Sequence, residues 1–346
     1  MPYQWQADAP TEHGFSAAFE PKLDGAVADG ALPDLHGLVI AADGKRILER
    51  YVTGEDEAWG RPLGCVDFGP DTLHDLRSVS KSIVGLLYGI ALGLGQVPAP
   101  EAPLLAQFPE HADLAQHPHL HELTLFHVLT MTMGQEWNED LPYTDPANSE
   151  IAMEMAPDRF RFILERPACA TPGSKWTYTG GASALLGRII EKGSGLSLLD
   201  FARTHLFTPL GIDAADWTRG GDGTFSAASG LRLTPWDLAA IGQCVLQDGR
   251  FTGRDIIPAA WLAATFTPRI ACFDDIMYGY QWYLRAATDG HGPRRFAMGN
   301  GGQRLILIPE RGLSIAILCG AYNQPDQWKT PAAIMLEHVL PALSGN

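Results

Sequence analysis

The residues with the types and spacing to carry chemistry are Ser78 and Lys81, which form the only Ser-x-x-Lys in the chain. If a helix begins at Ser78, residues three apart share one face, and the two side chains are within reach of each other. A serine hydroxyl beside an amine can lose its proton while its oxygen attacks a carbonyl carbon. The helix start would also offer free N–H groups and the positive end of the helix dipole to an oxyanion. The alternative is a serine that caps the helix and a lysine whose amine reaches solvent.

The residues that follow this pair favour a buried helix. The run from residue 83 to residue 94 is too apolar for a surface helix. A lysine on a buried helix needs a partner, because burying an unpaired ammonium group is costly. We therefore expect Lys81 to take part in a polar site.

A serine–lysine pair needs a third group that passes protons to the leaving group, and Tyr178 is the best-placed tyrosine. It lies between a Pro-Gly turn (172–173) and two glycines (180–181). This pattern predicts a rigid loop that can direct a side chain into a cleft. The alternative is a loop tyrosine that only packs its ring. A second glycine-rich segment, 299–303, precedes a predicted strand, and its N–H groups could complete an oxyanion hole, although such glycines are often only a turn or bulge.

Other motifs for catalysis are absent or weak. The chain has no Gly-x-Ser-x-Gly, His-Glu-x-x-His, P-loop or Gly-x-Gly-x-x-Gly. His117, His119 and His121 alternate in a proline-containing segment and could collect zinc for a metal-dependent hydrolase, but such histidines are more often solvated surface. We expect neither a metal nor a cofactor.

Acidic residues recur between positions 145 and 158. We interpret Asp145, Glu150, Glu154 and Asp158 as the solvated face of a helix, part of which could line the rim of a cleft. Trp137, Tyr143 and Asn148 are further candidates for that rim.

Charge and cysteine content narrow the classes of partner and compartment. A net charge of −15 over 346 residues argues against nucleic acid or an anionic membrane as a partner. Five scattered cysteines without a Cys-x-x-Cys pair suggest free thiols in a reducing compartment. The first residues lack the basic and apolar regions of a secretory signal, and the apolar run after Ser78 is too short to span a bilayer. The prediction is a cytoplasmic protein with a small-molecule substrate; the sequence does not indicate its oligomeric state.

The order of predicted elements indicates an α+β fold. Alternating runs at residues 35–41 and 46–51 predict a hairpin across Asp43 and Gly44, after a helix at 15–32 and before a loop at 54–72. Helices are predicted in the middle of the chain at 123–133, 148–165, 182–192, 198–210 and 233–248. Strands are predicted at 278–284, 305–308 and 313–318, and a helix at 328–343. These patterns predict an antiparallel sheet built from both chain ends and flanked by helices (1–97 and 235–346), a large helical insert (98–234), and an active site at their interface.

Six segments in this order resemble the motifs of one family. They are the segment around Ser78 and the segments 123–134, 172–186, 207–211, 229–234 and 299–303. The family is the class C β-lactamase-like serine hydrolases, which include penicillin-binding proteins, family VIII carboxylesterases and 6-aminohexanoate-dimer hydrolases. The resemblance extends from about Leu35 to Asn323 and implies a β-lactamase/transpeptidase-like fold.

The resemblance also implies roles for the residues. Ser78 would be the acylated nucleophile. Lys81 would be the base, alone or with Tyr178, with a pKa lowered by burial and by any neighbouring positive charge. Tyr178 would protonate the leaving group and then help to activate the deacylating water. The N–H groups of Ser78 and of a residue near Gln303 would form the oxyanion hole, with Asn300 and Gly302 beside it.

Two departures from the family pattern bear on the substrate. Gly180 stands where β-lactamases have the Asn of their tyrosine motif, and Asn300-Gly301-Gly302 stands where they have Lys-Thr-Gly. Both changes remove polar groups that would hold an acylamino β-lactam. The resemblance therefore implies hydrolysis of small carboxylic esters, with short amides second, by a serine hydrolase of the Ser-Lys-Tyr type. The alternatives are a weak β-lactamase or D-amino-acid peptidase, and a non-hydrolytic binding or scaffold protein that keeps the cleft.

Overall fold

A nine-stranded sheet built from both ends of the chain forms the centre of the molecule. The computed structural model describes residues 3–287 and 291–343. Its strands in chain order are β1 (Gln6–Ala7), β2 (Leu35–Ala42), β3 (Lys45–Tyr51), β4 (Gly54–Ala58), β5 (Arg61–Val66), β6 (His74–Asp75), β7 (Asp216–Trp217), β8 (Leu231–Leu233), β9 (Arg250–Phe251), β10 (Arg254–Asp255), β11 (Ile270–Phe273), β12 (Ile276–Tyr278), β13 (Tyr283–Arg285), β14 (Arg294–Gly299), β15 (Gln303–Ile308) and β16 (Leu313–Cys319).

The order of strands in the main sheet is β1-β3-β2-β16-β15-β14-β13-β12-β11. Every neighbouring pair is antiparallel except β1 with β3. The hairpin predicted across Asp43 and Gly44 joins β2 to β3, and both turn residues have the positive φ that this sharp connection requires. The predicted α+β fold with a sheet from both chain ends is confirmed.

Helices cover both faces of this sheet. They are α1 (Phe19–Ala28), α2 (Val79–Gly93), α3 (Pro118–Glu122), α4 (Leu125–Leu129), α5 (Ser149–Met155), α6 (Arg159–Leu164), α7 (Gly180–Ser194), α8 (Leu198–Ala202), α9 (Thr208–Leu210), α10 (Pro235–Leu246), α11 (Ala259–Thr265), α12 (Lys329–Ala333) and α13 (Leu340–Leu343). A π-helical segment connects α8 to α9 at Arg203–Phe207, and another connects α12 to α13 at Ile334–Val339. Segments of 3₁₀ helix lie at Pro10–His13, Leu105–Gln107, Pro109–Gln116 and Pro309–Arg311.

Strand β2 shows how the two layers of core are built. Leu38 and Ile40 pack in a core shared with α1 and the C-terminal helices, whereas Val39 and Ala41 pack in the core that contains α2 and α10. Because successive side chains of a strand point to opposite faces, a strand covered on both faces is apolar at nearly every position. All eight residues of β2 are buried.

Several predicted boundaries were wrong for local reasons. The predicted loop at 54–72 contains the β4–β5 hairpin, and the predicted strand at 278–284 is two strands, interrupted where Gln281 has a φ of 61°. The predicted helix at 148–165 is two helices, because Pro157 disfavours the helical conformation at Ala156, whose ψ is 141°. Strands β11 and β14 were not predicted. The proposed domain boundaries at residues 97 and 234 stay a prediction.

Helix α2 is buried along its length and carries the start of the functional site. A Cβ at Gly89 would lie 1.9 Å from Cδ1 of Trp261, so glycine is required for the indole ring to pack directly on the helix. The Trp261 indole also donates to the carbonyl of Gly85 at 3.0 Å. Within residues 3–287 and 291–343, no helix combines the length and the apolar character needed to cross a membrane.

Candidate active site

The turn before α2 fixes the position of Ser78. Asp75 accepts hydrogen bonds from the backbone N–H of Arg77 at 2.9 Å and of Trp59 at 2.6 Å. Arg77 has a φ of 47°, which is uncommon for a residue with a side chain, and its guanidinium pairs with Glu57. Ser78 follows directly and is only 8% exposed. The sharp turn therefore places the Ser78 side chain at the beginning of a buried helix.

Lys81 lies one turn into α2 and is held by three acceptors. Its Nζ lies 2.9 Å from Ser78 Oγ, 2.9 Å from Glu150 Oε2 and 2.9 Å from the carbonyl oxygen of Ala228. An ammonium group has three N–H donors, so each donor has one acceptor. Ser78 and Lys81 share one face of the helix, as the i, i+3 spacing requires.

The electrostatic surroundings of Lys81 differ from those expected. Burial alone would lower the pKa of Lys81, but the acidic groups around it, first Glu150 and then Tyr178 and Glu139, outweigh burial and raise that pKa above its ordinary value. The expectation of a lowered pKa was wrong, because the nearest charged groups are carboxylates and not cations. At rest Lys81 is therefore an ammonium ion.

Tyr178 faces the same pair. Its ring centroid lies 4.8 Å from Lys81 Nζ, and its hydroxyl is within hydrogen-bonding reach of the Ser78 side chain. The loop before α7 holds it there, with the N–H of Thr177 donating to the carbonyl of Met131 at 2.9 Å. Burial raises the pKa of Tyr178 to about 12, against the opposing charge of Lys81. The phenol is therefore protonated near neutral pH and is suited to donate a proton.

Two buried glutamates, Glu139 and Glu150, complete this cluster. Their carboxyl groups are close enough for a hydrogen bond to each other, and Glu139 lies 4.0 Å from Lys81 Nζ. Glu139 accepts from the Trp137 indole at 2.5 Å, the Tyr143 hydroxyl at 2.9 Å and the N–H of Gly180 at 2.5 Å. Burial raises the pKa of Glu150; the charge of Lys81 opposes this shift and that of Glu139 adds to it.

Gly180 provides the space for this carboxyl pair. A Cβ at Gly180 would lie 2.5 Å from Glu150 Oε2 and 3.0 Å from Glu139 Oε1. Asn148 positions Glu150 from the other side, because its Oδ1 caps α5 by accepting from the N–H of Glu150 at 2.9 Å. Sequence reasoning missed this role of the glutamates. The sequence signal for this role was Gly180. A glycine in place of the family's Asn, close to the buried Lys81, leaves a space that another side chain must fill.

Three expectations about these residues were wrong. Asn148 is fully buried and caps a helix, so it is not a rim residue. Trp137 packs against Gly181 and hydrogen-bonds to Glu139, and it does not line the cleft at Ser78. Gly180 contacts the carboxyl pair and not the cleft.

The interpretation of the acidic residues near position 150 as a solvated helix face was also wrong for Glu150 and Glu154, whereas the second part of that prediction holds for Glu150, which lines the cleft together with Ser78. Glu150 and Glu154 are each 2% exposed. Glu154 is 3.0 Å from Arg159 and accepts from the Ser226 hydroxyl at 2.6 Å. Both carboxylates are buried with partners of opposite charge, as buried charges usually are.

The glycine-rich segment at 299–303 lies across the cleft from α2. Asn300 lines the cleft together with Ser78. Among the described residues, neither the N–H of Ser78 nor that of Asn300 has a hydrogen-bond acceptor. Gly302 and Gln303 are buried behind this edge, and the Gln303 side chain is occupied by the N–H and carbonyl of Cys319, so it does not reach the cleft.

The cleft has two lobes that meet at Ser78. One lobe is mainly aromatic, and its lining includes Trp176, Tyr178, Phe273, Tyr283 and Met298. The other is smaller, and its lining includes Trp59, Arg77, Thr144, Ser229 and Asn323. Tyr143, predicted at the rim, lines both lobes.

Arg304 contributes a positive charge to the aromatic lobe. Its Nη1 donates to the carbonyls of Gly299 at 3.2 Å and Gln303 at 2.8 Å. In the described part of the chain no carboxylate pairs with it, and burial lowers the pKa of its guanidinium. A partly exposed guanidinium with free donors is suited to an anionic group.

A second polar cluster lies below the turn that carries Ser78. The ligand atoms of His36, Asp56 and His74 lie within 4.8 Å of one another, and no other such trio of His, Cys, Asp or Glu occurs in the described residues. His36 Nδ1 is 2.9 Å from His74 Nε2, and Asp56 is bound by Tyr322 at 2.9 Å and Arg232 at 3.2 Å. The two histidines are therefore hydrogen-bonded to each other, and Asp56 lies 4.0 Å from His74. His117, His119 and His121 do not converge on a site of this kind.

Comparisons with known proteins agree on one family. A family model described as Beta-lactamase matches residues 16–338. The 6-aminohexanoate-dimer hydrolase of Paenarthrobacter ureafaciens is 26% identical over 282 residues, which cover 75% of this chain and 69% of that protein.

Solved structures show the same fold. A protein from Bacillus anthracis described as a 6-aminohexanoate-dimer hydrolase superimposes with a TM-score of 0.75 at 17% identity, over 97% of this chain and 87% of the other. EstCE1, a hydrolase with promiscuous acyltransferase activity, superimposes with a TM-score of 0.70 at 14% identity, over 94% and 98% of the two chains.

Proposed function

Because the chain belongs to the Beta-lactamase family, a family of hydrolases, we propose that it is a serine acyl hydrolase that forms an acyl-enzyme at Ser78. The observation that carries the proposal is the 2.9 Å contact between Lys81 Nζ and Ser78 Oγ, with the Tyr178 hydroxyl beside them. A nucleophile, a proton-transfer group and a proton donor are thus within reach of one reacting carbonyl group.

The proposed reaction proceeds in two stages. The Ser78 oxygen attacks the carbonyl carbon, and the oxyanion is stabilised by the N–H groups of Ser78 and Asn300 at the positive end of α2. Tyr178 then protonates the leaving group, and the acyl group remains on Ser78. In the second stage Tyr178 helps to activate a water that releases the acid. Lys81 already carries three protons, so it can accept the Ser78 proton only as it releases one of its own.

Small carboxylic esters are the proposed substrates, with short amides second. An ester leaving group needs less protonation than an amine, so a site without the Asn of the β-lactamase tyrosine motif can still cleave it. The aromatic lobe favours an apolar group next to the ester. The promiscuous acyltransferase activity of EstCE1 and the 6-aminohexanoate dimer on which the Paenarthrobacter relative acts support the same acyl-enzyme chemistry.

A second candidate is a weak β-lactamase or a D-amino-acid peptidase, and Arg304 favours it. Both kinds of substrate carry a carboxylate, and the Lys that helps to hold it in β-lactamases is missing here. Arg304 lines the lobe that contains Ser78 and has free donors for such a group. Hydrolysis of nitrocefin or of D-alanyl dipeptides in preference to p-nitrophenyl acetate would support this candidate over the esterase.

The test of the proposed function is intact-mass analysis after incubation with a fluorophosphonate. Wild type should gain one adduct, and Ser78→Ala and Lys81→Ala should gain none. Ser82→Ala is the matched control, because Ser82 lies on the same helix but its hydroxyl donates to the carbonyl of Gln281. Hydrolysis of p-nitrophenyl esters should be lost in the same two variants. A wild type without adduct or hydrolysis would overturn the proposal and support a non-hydrolytic binding protein.

We also propose a cytoplasmic location and a small-molecule substrate. All five cysteines are free thiols, and the net charge of −15 disfavours nucleic acid and anionic membranes as partners. Cell fractionation with an antibody to the protein tests the location. Recovery in an exported fraction would overturn it.

A further inference from the structure

We propose that Glu150, paired with Glu139, accepts the proton that leaves Lys81 when Ser78 attacks, so that a relay from Ser78 through Lys81 to Glu150 activates the nucleophile. The inference rests on the proposed function and adds a proton acceptor to it. It follows from the contacts of Lys81, from the unequal surroundings of the two glutamates, and from the space at Gly180.

The contacts of Lys81 leave one possible acceptor. Each of its three N–H donors is used, by Ser78 Oγ, by the carbonyl of Ala228 and by Glu150 Oε2. Ser78 is the reactant itself, and a backbone carbonyl is far too weak a base to hold a proton near neutral pH. Glu150 is the remaining partner, and its oxygen already lies at hydrogen-bonding distance from the nitrogen. A proton can therefore pass from Lys81 to Glu150 without movement of either side chain.

Tyr178 is less suited to this role. Its pKa is raised to about 12, so its hydroxyl is protonated near neutral pH. It also presents the face of its ring to the Lys81 ammonium group, at 4.8 Å from the centroid. Tyr178 is thus placed as a donor to the leaving group, and the acceptor must be another residue.

The two glutamates have unequal surroundings, which determines which of them takes the proton. Glu139 accepts from Trp137, Tyr143 and the N–H of Gly180. These three donors already occupy the oxygens of Glu139, so a further proton is placed more readily on Glu150. Within residues 3–287 and 291–343, the Glu150 carboxylate accepts a hydrogen bond only from the Lys81 ammonium. Once Lys81 has given up a proton, a charged Glu150 would face the charged Glu139 in a buried site, and protonation of Glu150 removes that repulsion.

The proton balance of the first stage is then complete. The bond from Ser78 Oγ to the carbonyl carbon forms, and the carbonyl π electrons move to its oxygen. The Ser78 proton moves to Lys81 Nζ, one Lys81 proton moves to Glu150 Oε2, and Lys81 remains an ammonium ion throughout. When the tetrahedral intermediate collapses, Tyr178 protonates the leaving group. In the second stage Tyr178 takes a proton from the attacking water. Ser78 Oγ regains its proton from Lys81 when the acid is released, and Lys81 recovers a proton from Glu150.

The pH dependence of this relay follows from the groups that face the pair. They are Lys81 on α2, Tyr178 in the loop before α7, and Tyr143 in the segment before α5. Arg77 lines the same lobe as Glu150, Glu154 lies one turn further along α5, and the segment packed on the other side contributes the carbonyl of Ala228. Glu150 accepts a proton only when it is ionised, so the rate should rise with pH through a single ionisation of the carboxyl pair.

The test is the rate of fluorophosphonate labelling of Ser78 between pH 5.5 and pH 9. Fluoride leaves without protonation, so the reaction isolates removal of the Ser78 proton from the role of Tyr178. Glu150→Gln keeps the shape and an oxygen acceptor for Lys81 but cannot take a proton. We expect its labelling rate to fall by about 10²- to 10⁴-fold, the usual effect of losing a general base, and its pH profile to become flat. Glu150→Asp keeps a carboxylate and should recover part of the rate.

Two further variants separate the relay from a structural effect. Glu154→Gln is the matched control: Glu154 lies one turn further along α5, is equally buried, and does not contact Lys81. Arg159 keeps Asp222 as a partner at 2.6 Å in that variant, so the control should label like wild type. Glu139→Gln removes a charge that raises the pKa of Glu150, so the ionisation should move to lower pH. This shift remains measurable even if Glu150→Gln fails to fold.

The outcomes distinguish the two proposals. If wild type labels and folded Glu150→Gln labels at the same rate with the same pH profile, the relay is wrong and the serine hydrolase stands. An unchanged pH profile in Glu139→Gln would also overturn the relay. If wild type itself is not labelled, the proposed function fails and the relay fails with it.

Discussion

The Glu150 carboxyl group occupies the space that a side chain at position 180 would need: a Cβ at Gly180 would lie only 2.5 Å from Glu150 Oε2. The position that holds an Asn in β-lactamases is therefore empty, and a carboxylate from another helix fills the space and contacts Lys81 at 2.9 Å. An amide cannot take up a proton in this setting, and a carboxylate can. In the proposed relay this carboxylate takes up the proton beside the nucleophile.

Replacement of Gly180 by Asn should displace Glu150. We expect a loss of stability of about 1–3 kcal/mol from overpacking, together with a fall in esterase activity. The double variant Gly180→Asn with Glu150→Ala removes the clash and should be more stable than the sum of the two single changes predicts. Urea unfolding of the four proteins measures this coupling. Additive effects would contradict the steric conflict.

Replacement of Lys81 by Met should destabilise the protein in a pH-dependent way. The two carboxyl groups would lose their counter-ion, and breaking a buried ion pair costs about 3–5 kcal/mol. Without the charge of Lys81 the pKa of Glu150 rises further. Stability from a carboxyl group with a raised pKa is present at low pH and is lost as pH rises. The difference from wild type in urea unfolding should therefore be larger at pH 8 than at pH 5.5.

The exposed Lys175 provides the control for that experiment. Lys175→Met should unfold like wild type at both pH values, because a single surface charge contributes little to stability. If the free energy of unfolding that Lys81→Met loses is the same at both pH values, the charge of Lys81 does not affect the ionisation of the carboxyl pair.

Removal of the cap on α5 should affect activity as well as stability. Asn148→Ala loses the acceptor for the N–H groups of Glu150 and Ile151, which costs about 1 kcal/mol. Because the first turn of α5 positions Glu150, we expect a lower rate of acylation with little change in KM. Asn148→Asp keeps a capping oxygen and should retain more activity than Asn148→Ala. Equal activity in the two variants would show that the cap does not position Glu150.

The paired histidines below the nucleophile turn should make the fold sensitive to acid. Burial lowers the pKa of His36 to about 4 and that of His74 to about 3, so both are neutral in the folded protein. Below about pH 6.5 the unfolded chain binds protons that the folded chain does not, and stability falls as pH falls. Each such proton contributes about 1.4 kcal/mol per pH unit to the slope.

Unfolding by urea between pH 7.5 and pH 4.5 measures that slope. His36→Gln should reduce the pH dependence of the free energy of unfolding by the contribution of about one proton. His121→Gln, at an exposed position, should leave that pH dependence unchanged. Identical slopes in wild type and His36→Gln would contradict a buried neutral His36.

The sequence determined a good part of this protein on its own. The spacing of Ser78 and Lys81 on an apolar helix, the alternating strands of the β2–β3 hairpin and the glycines around Tyr178 are local patterns, and local patterns follow from the period of a helix or strand and from turn geometry. The antiparallel sheet from both chain ends followed from the order of such patterns. These local patterns are therefore sufficient to identify Ser78, Lys81 and Tyr178 as candidate catalytic residues.

Only the tertiary structure decided what surrounds Lys81. Glu139 and Glu150 lie far from Lys81 along the chain. The sequence pattern of a short amphipathic segment is the same whether its acidic residues face solvent or a buried cation. The direction of the Lys81 pKa shift depends on that choice, because burial and a nearby carboxylate act in opposite senses. The same holds for Asn148 and Trp137, whose partners come from the packing of loops. Patterns along the chain determine the elements, whereas the charges that meet inside the protein depend on how those elements pack.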